Sequence, residues 1–206
     1  MNGMNKFIDK MRSYIRSKIA ILAKLLNKLS GGKITPNSIT IVGLLAHIFI
    51  AYLIADGYYT ISAILLIVFG LFDSLDGALA RIQKTESKKG MLLDSITDRL
   101  KEVIIYASLA FVLVNQGHSL AVIWVVLACG ASLIISYINA WGEVVNIGKS
   151  HQLNKQFRLG FMSYDIRVFT VVIGLFTGYM YQSIIFITIF GFWTAGVRFA
   201  GVIKNL

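Results

Sequence analysis

Residues 71–98 read LFDSLDGALARIQKTESKKGMLLDSITD and place four aspartates in two long apolar segments, namely Asp73, Asp76, Asp94 and Asp98. An ionised carboxylate in an apolar segment is costly unless it is paired, bound to a metal or in contact with water. The first two acids are spaced i,i+3 and the last two i,i+4, so each pair projects from one face of a helix. The short loop between the segments allows the two faces to meet.

Four neighbouring carboxylates would repel one another and take up protons unless a cation compensated their charge. A cluster of hard oxygen ligands without cysteine or histidine favours Mg²⁺ or Mn²⁺, so the aspartates predict a divalent metal site. Two alternatives stay open at this point. A salt-bridge network with Arg81, Arg99 and Lys101 would also compensate the acids, and a cation transporter or channel would use them as a path for protons or ions.

The composition is that of an integral membrane protein. Of the 206 residues, 56% are hydrophobic and 15% are charged, and the mean hydropathy is +0.71. No Pro-, Ser- or Gly-rich linker divides the chain, which predicts a single domain over residues 1–206. The predicted fold is all-α, with six transmembrane helices at about residues 38–56, 60–82, 91–114, 119–147, 164–180 and 183–203.

A basic amphipathic segment precedes the apolar ones. Apolar residues recur at helical spacing between Phe7 and Leu29, and lysines and arginines occupy most of the positions between them. This pattern predicts a helix lying on the membrane surface. Residues 1–33 would form this interfacial helix and its connector, and residues 34–206 the six-helix bundle. A soluble helix packed on a partner is the alternative.

The net charge of +10 is concentrated on one side of the predicted topology. The junctions at residues 56–59, 115–118 and 178–182 contain no Lys or Arg, whereas the N-terminal segment and the loops at 84–89 and 149–158 are basic. The positive-inside rule therefore predicts that the N-terminus and the helix ends near the aspartates face the cytoplasm. Anionic lipid accounts for the charge, and no nucleic-acid partner is expected.

The aspartates belong to a longer motif. Residues 73–81 read DxxDGxxAR, eight residues follow, and residues 90–98 read GxxxDxxxD, which resembles the signature of the CDP-alcohol phosphotransferase (CDP-alcohol phosphatidyltransferase) family without a departure. Eight fixed positions at fixed spacing make this a specific motif. The sequence TPN at residues 35–37 also resembles the family's usual entry to its first helix.

The resemblance implies a fold of six transmembrane helices, a homodimer, and a location in the cell membrane with the active site open to the cytoplasm. It also implies an enzyme of phospholipid synthesis. Such an enzyme transfers a phosphatidyl or archaetidyl group from a CDP-linked lipid, CDP-diacylglycerol or CDP-archaeol, to a polar alcohol and releases CMP.

The resemblance also implies roles for the matching residues. Asp73, Asp76 and Asp94 would bind one or two Mg²⁺ or Mn²⁺ ions, and Asp98 would contribute to the metal site and act as the catalytic base. Gly77 would let the cytidine and ribose approach the helix, and Arg81 would contact the diphosphate. The donor-binding positions implied by the matching motifs are Asn37, Gly77, Ala80, Arg81 and Gly90.

The acceptor alcohol is less constrained than the donor. Residues 94–99, DSITDR, are similar to the form found in inositol-phosphate-using members, which points to inositol phosphate or another polyol phosphate. Those members commonly have basic residues where Asn139 and Trp141 stand in this chain. Arg158 and Arg167 are then the candidate acceptor-binding residues, with a role as positive-inside anchors as the alternative.

Overall fold

The computed structural model describes residues 17–145 and 160–204, with the side chains of residues 71–73 and 145 outside the description. All regular secondary structure in these ranges is helical. The prediction of an all-α fold is therefore confirmed, and the predicted segment ends lie within a few residues of the helix ends. The helices are α1 at residues 17–29, α2 at Pro36–Ala55, α3 at Tyr59–Gln83, α4 at Lys88–Asn115, α5 at Ala121–Val145, α6 at Tyr164–Thr177 and α7 at Met180–Ile203.

Helices α2, α3, α5 and α7 are long and apolar enough to cross a membrane, judged by length and composition within the described residues. The protein is thus a multi-pass membrane protein. Helix α6 has 14 residues, or about 21 Å at 1.5 Å per residue, which is shorter than a bilayer core of about 30 Å. Helix α4 has 28 residues, but all of its charged residues lie in the stretch from Lys88 to Glu102. The predicted spans at α4 and α6 therefore stay a prediction.

Glycine closes the turns that follow α2 and α4. Gly57 and Gly117 both have a φ of 89°, a left-handed conformation that side chains with a Cβ rarely adopt. In each turn the residue after the glycine donates its N–H back to the last turn of the helix, which is the Schellman arrangement. The N···O distances are 2.9 Å from Tyr58 to Leu53 and 2.9 Å from His118 to Leu113.

The first of two compact units comprises, among the described residues, 17–49 and 65–101. In it, α1 packs on α3 through a small buried core, and Leu22, Leu25 and Leu29 of α1 remain exposed. The residues before 17 in the predicted interfacial helix lie outside the described residues. The core consists of Ile19, Ala23, Ile39, Leu75, Ala78 and Leu79.

Gln83 at the end of α3 fixes the connector between α1 and α2. Its Nε2 donates to Asn27 Oδ1 and to the carbonyl oxygen of Ile34, each at 2.8 Å. One side-chain amide thus satisfies an acceptor on each side of Gly31 and Gly32, whose φ values of 59° and 76° follow the end of α1. These bonds hold the start of α2 beside the end of α3.

The second compact unit comprises, among the described residues, 50–64, 102–145 and 160–204. In it, α7 packs against α5 and α6. The hydroxyl of Thr188 donates to the carbonyl oxygen of Trp124 at 3.1 Å, and that of Thr194 accepts the N–H of Met162 at 3.0 Å. A Cβ at Gly160 would overlap Thr194, so the absence of a side chain at residue 160 permits this close approach.

Candidate active site

A cavity of about 300 Å³ lies in the first unit, between the N-terminal end of α2, the last turns of α3 and the start of α4. It brings together seven of the residues predicted from the sequence, which are Asn37, Asp76, Gly77, Ala80, Arg81, Gly90 and Asp94. The other residues lining it are Pro36, Thr40, Thr85, Glu86, Ser87 and Met91.

The Asp76 carboxylate is buried and fixed at both oxygens. The hydroxyl of Thr40 on α2 donates to Oδ2 at 2.6 Å, and the backbone N–H of Gly77 donates to Oδ1 at 2.6 Å. Hydrogen bonds to a carboxylate fix its orientation as well as satisfying its oxygens. Asp76 therefore presents a carboxyl group of fixed orientation at the wall of the cavity.

Asp94 brings a second carboxylate to the cavity from α4. Its side chain is half-buried, and its Oδ1 has no contact with solvent. Two carboxylates from different helices thus share one cavity, and carboxylate oxygen is the ligand type that Mg²⁺ and Mn²⁺ prefer. This donor set fits a divalent ion held by Asp76 and Asp94.

The full four-aspartate cluster stays a prediction. Among the side chains that the structure describes, no three His, Cys, Asp or Glu residues group closely enough to hold a metal ion. The side chain of Asp73 lies outside the described residues. The Oδ1 of Asp98 lies 3.3 Å from Nζ of Lys101, and Asp98 is not among the described residues that line the cavity.

The glycines of the motif differ in what surrounds them. An added Cβ at Gly77 would meet only the Nη1 atom of Arg81, at 3.7 Å, which is an ordinary contact. Helix packing thus does not require a glycine at residue 77, and its small size instead keeps the cavity open. At Gly90 a Cβ would lie 3.3 Å from Ser87 Oγ and 3.5 Å from Asn37 Oδ1. A larger residue would therefore crowd the first turn of α2.

A second cavity of about 620 Å³ shares Gly77 and Arg81 with the first and lies between α1 and α3. Lys24 and Ser74 contribute polar groups to it, and Arg81 contributes its charge to both cavities. The C-terminal part of α3 therefore borders a cavity on each of two sides. The rest of the lining is apolar or small, namely Ile19, Ala20, Ala78 and Ile82.

The predicted acceptor-binding residues lie elsewhere in the chain. Arg158 is outside the described residues. Arg167 belongs to the second unit and is 2% exposed, with Nε donating to Glu102 Oε1 at 2.9 Å and Nη1 to the carbonyl oxygen of Met162 at 3.1 Å. Ser132 donates to the other oxygen of Glu102 at 2.7 Å. The role of Arg167 toward an acceptor stays a prediction.

Asn139, one of the two positions that depart from the inositol-phosphate pattern, accepts a hydrogen bond from Nη1 of Arg198 at 2.9 Å. Arg198 is buried on α7, so a basic residue at position 139 would place two cations side by side. The neutral amide of Asn139 is therefore compatible with the neighbouring charge of Arg198 on α7.

The sequence profile of the CDP-alcohol phosphatidyltransferase family matches residues 33–197, well over half of the chain. The chain belongs to this family. The match confirms the resemblance carried by the aspartate motif, and it does not support the transporter alternative.

Relatives in the family come from bacteria and archaea. A phosphatidylinositol phosphate synthase of Corynebacterium glutamicum is 35% identical over 125 residues, which cover 59% of this chain and 56% of that protein. An archaetidylinositol phosphate synthase of Pyrococcus horikoshii is 35% identical over 103 residues, covering 50% of this chain and 53% of that protein. The chain thus spans about half the length of these curated relatives.

Solved structures of a phosphatidylinositol phosphate synthase of Mycobacterium tuberculosis share the fold of this family member. The structure with CDP-DAG bound matches with a TM-score of 0.76 at 24% identity, covering 89% of this chain and 92% of the other. The structure in complex with manganese and citrate matches with a TM-score of 0.74 at 22% identity, covering 90% and 89%.

Sequence reasoning missed Thr40, which bonds Asp76 at the cavity, and Glu102, which pairs with Arg167 in the second unit. Thr40 follows Asn37 by one helical turn, so the two side chains lie on one face of α2. Its spacing from the TPN segment could therefore have indicated that Thr40 faces the site. Glu102 was visible as a charge in an apolar segment. Only the fold shows which guanidinium it contacts.

Proposed function

We propose that this family member is a membrane enzyme that transfers a phosphatidyl or archaetidyl group from a CDP-linked lipid to a polar alcohol and releases CMP. The observation that carries the proposal is the single cavity that joins Asp76 and Asp94 with Gly77 and Arg81. Such a cavity combines carboxylates for a divalent ion, a cation for a diphosphate, and free space beside a helix for a nucleoside. The CDP-DAG bound in the similar Mycobacterium tuberculosis structure supports a CDP-linked lipid as donor.

The chemistry follows from the roles of the lining residues. Asp73, Asp76 and Asp94 would hold Mg²⁺ or Mn²⁺, whose charge, when bound, stabilises the departing CMP and polarises the attacked phosphorus. Thr40 and the Gly77 N–H keep the Asp76 carboxylate in one orientation. The manganese in the similar Mycobacterium tuberculosis structure supports the choice of ion.

The remaining roles concern the donor and the proton. Arg81 would contact the diphosphate, with Asn37, Ala80 and Gly90 lining the space around the donor. Asp98 would accept the proton of the acceptor hydroxyl. The oxygen of that hydroxyl would bond to the lipid-side phosphorus in the same step. The bond from that phosphorus to the CMP oxygen breaks in the same transfer, so atoms and charge balance.

For the acceptor we propose inositol phosphate or another polyol phosphate. The names of the Corynebacterium and Pyrococcus relatives and the DSITDR segment both support this class. Arg158 and Arg167 would bind the acceptor phosphate. A guanidinium carries N–H donors on three nitrogens, and the bonds to Glu102 and Met162 use Nε and Nη1 of Arg167.

The proposed topology is a single domain over residues 1–206 with six spans, in which α4 and α6 join the four apolar helices. The basic loops at residues 84–89 and 149–158 support a cytoplasmic active site and a cytoplasmic N-terminus. The exposed leucines of α1 support an interfacial helix. We also propose a homodimer, as the family resemblance implies.

The proposal is tested by CMP release from purified protein given Mg²⁺, CDP-diacylglycerol or CDP-archaeol, and a panel of polyol phosphates. We expect CMP with at least one acceptor and its loss in Asp98→Asn. The matched control is Asp165→Asn, an exposed acid on α6, which should keep wild-type activity. Cation flux through proteoliposomes without CMP release from any donor would overturn the proposal.

A further inference from the structure

Helix α1 is attached to the rest of the first unit by few buried side chains. Among its described residues only Ile19 and Ala23 are buried, in the small core beside α3. Gly31 and Gly32 follow the helix, both with a positive φ, so the chain turns sharply before α2. Segments with few buried apolar contacts open most readily. The position of α1 therefore depends on what contacts its outer side.

The outer side of α1 carries exposed apolar and basic side chains. The apolar ones recur at every fourth position and are Ile21, Leu25 and Leu29. Lys24 and Lys28 are exposed beside this row, and Lys33 is exposed in the connector. Residues 17–35 contain no Asp or Glu. An apolar row flanked by lysines matches a membrane surface with anionic headgroups, where each lysine strengthens binding by about fivefold.

Gln83 links α1 to the cavity of the candidate active site. Its Nε2 donates to Asn27 Oδ1 in the last turns of α1 and to the carbonyl oxygen of Ile34 just before α2, each at 2.8 Å. The first turns of α2 then contribute Asn37 and Thr40 to the cavity wall. A displacement of α1 would therefore pull on the group that holds the start of α2 in place.

We propose that anionic lipid at the membrane surface binds the outer side of α1 and thereby stabilises the cavity in the form that binds the donor. Gln83 is the positioning residue that transmits the contact. The core beside α3 and the lipid surface contact opposite sides of α1, so both stabilise the same position of the helix. A surface shifts a conformational equilibrium only by binding one form more tightly. This inference rests on the donor cavity of the proposed function.

The test is calorimetric titration of CDP, with Mg²⁺, into the protein in nanodiscs of phosphatidylcholine alone or mixed with phosphatidylglycerol. We expect the wild type to bind CDP at least about fivefold more tightly in the mixed nanodiscs, the effect of one lysine at an anionic surface. Direct electrostatics predicts the opposite, because an anionic surface repels the CDP anion. Tighter binding therefore reports the effect of lipid on the protein.

Two kinds of variant separate the surface from the link. Lys28→Gln/Lys33→Gln should lose most of the gain, whereas Lys204→Gln, which removes an exposed lysine of the second unit, should keep it. Gln83→Leu retains every lysine and should bind CDP equally in both nanodiscs. Its matched control is Gln116→Leu, which removes a glutamine bonded to Tyr59 and should keep the gain. A full gain in folded Gln83→Leu would overturn the inference.

Equal or weaker CDP binding by the wild type in the mixed nanodiscs would also overturn it, whatever the variants do, so the test does not depend on Gln83→Leu folding. If such a protein releases CMP from a CDP-linked lipid, the proposed function stands while this inference fails. A wild-type protein that binds no CDP in either nanodisc and releases no CMP would overturn both.

Discussion

The hydroxyl of Thr40 donates to Oδ2 of Asp76 at 2.6 Å and joins α2 to α3 inside the candidate active site. The bond is buried and is made to a charged group, so it ranks among the stronger hydrogen bonds in a protein. It links the TPN entry of α2 to the aspartate motif of α3. The start of α2 and the aspartate motif, about 40 residues apart in the sequence, therefore meet at the Asp76 carboxylate.

Replacing Thr40 with valine keeps the shape of the side chain and removes the hydroxyl. We expect CMP release to fall by about 10- to 100-fold, the usual loss when a partner of a metal-binding side chain is removed. Thr40→Ser retains the hydroxyl and is the matched control, with activity near that of the wild type. Full activity in the valine variant would contradict a positioning role for Thr40.

Enlarging Gly77 should block the donor without unfolding the protein. Because a Cβ there meets only Arg81 Nη1 at 3.7 Å, the side chain of Gly77→Leu would extend into the cavity and not into the packed core. We expect the KM for the CDP-linked lipid to rise at least about tenfold, with an unchanged thermal midpoint. Gly70→Leu, on the same helix and outside the cavity, is the control. An equal rise in both variants would show a general effect on α3.

The buried pair of Glu102 and Arg167 should respond strongly to the loss of one partner. Glu102→Leu leaves a buried guanidinium without its carboxylate, which typically costs about 3–5 kcal/mol of stability. We expect a large drop in the thermal midpoint in detergent, and recovery of most of it in Glu102→Leu/Arg167→Met. The exposed Glu143→Leu is the control.

The same double variant tests the proposed role of Arg167 toward the acceptor. If the guanidinium binds the acceptor phosphate, the stable double variant will show a raised KM for the polyol phosphate and an unchanged KM for the donor. If Arg167 only stabilises the second unit, both KM values will stay at the wild-type level. Kinetics with each substrate varied in turn distinguish the two outcomes.

Gly160 should tolerate no side chain. It has a φ of 117°, and a Cβ there would overlap Thr194, which also accepts the N–H of Met162 at 3.0 Å. We expect Gly160→Ala to lose at least about 1–3 kcal/mol from strain and overpacking, seen as a lower thermal midpoint. Gly201→Ala, where a Cβ meets nothing within 4 Å, should be neutral.

Sequence reasoning predicted the helices and most of the cavity because both depend on patterns within single segments. Apolar runs between Gly57 and Gly117 mark helices, and the i,i+3 and i,i+4 spacing of the aspartates places them on helix faces. The short α6 was predicted a few residues too long, because the apolar run continues past Thr177 while Gly178 ends the helix with a φ of 79°.

The remaining features depend on which helix faces meet, and spacing along one segment does not specify that. Thr40 contacts a carboxylate 36 residues away, and Arg167 contacts one 65 residues away. Lys101 looked like one of several cations near the aspartates, and its burial distinguishes it. Partners of this kind are set by tertiary packing.

The central claim is that the carboxylates of α3 and α4 hold a divalent ion that binds the diphosphate of the donor. Its most direct test is calorimetric titration of CDP into the purified protein with Mg²⁺ and with EDTA. We predict binding with Mg²⁺, none with EDTA, and none for Asp76→Asn or Asp94→Asn under either condition. Equal CDP binding with Mg²⁺ and with EDTA would contradict the account.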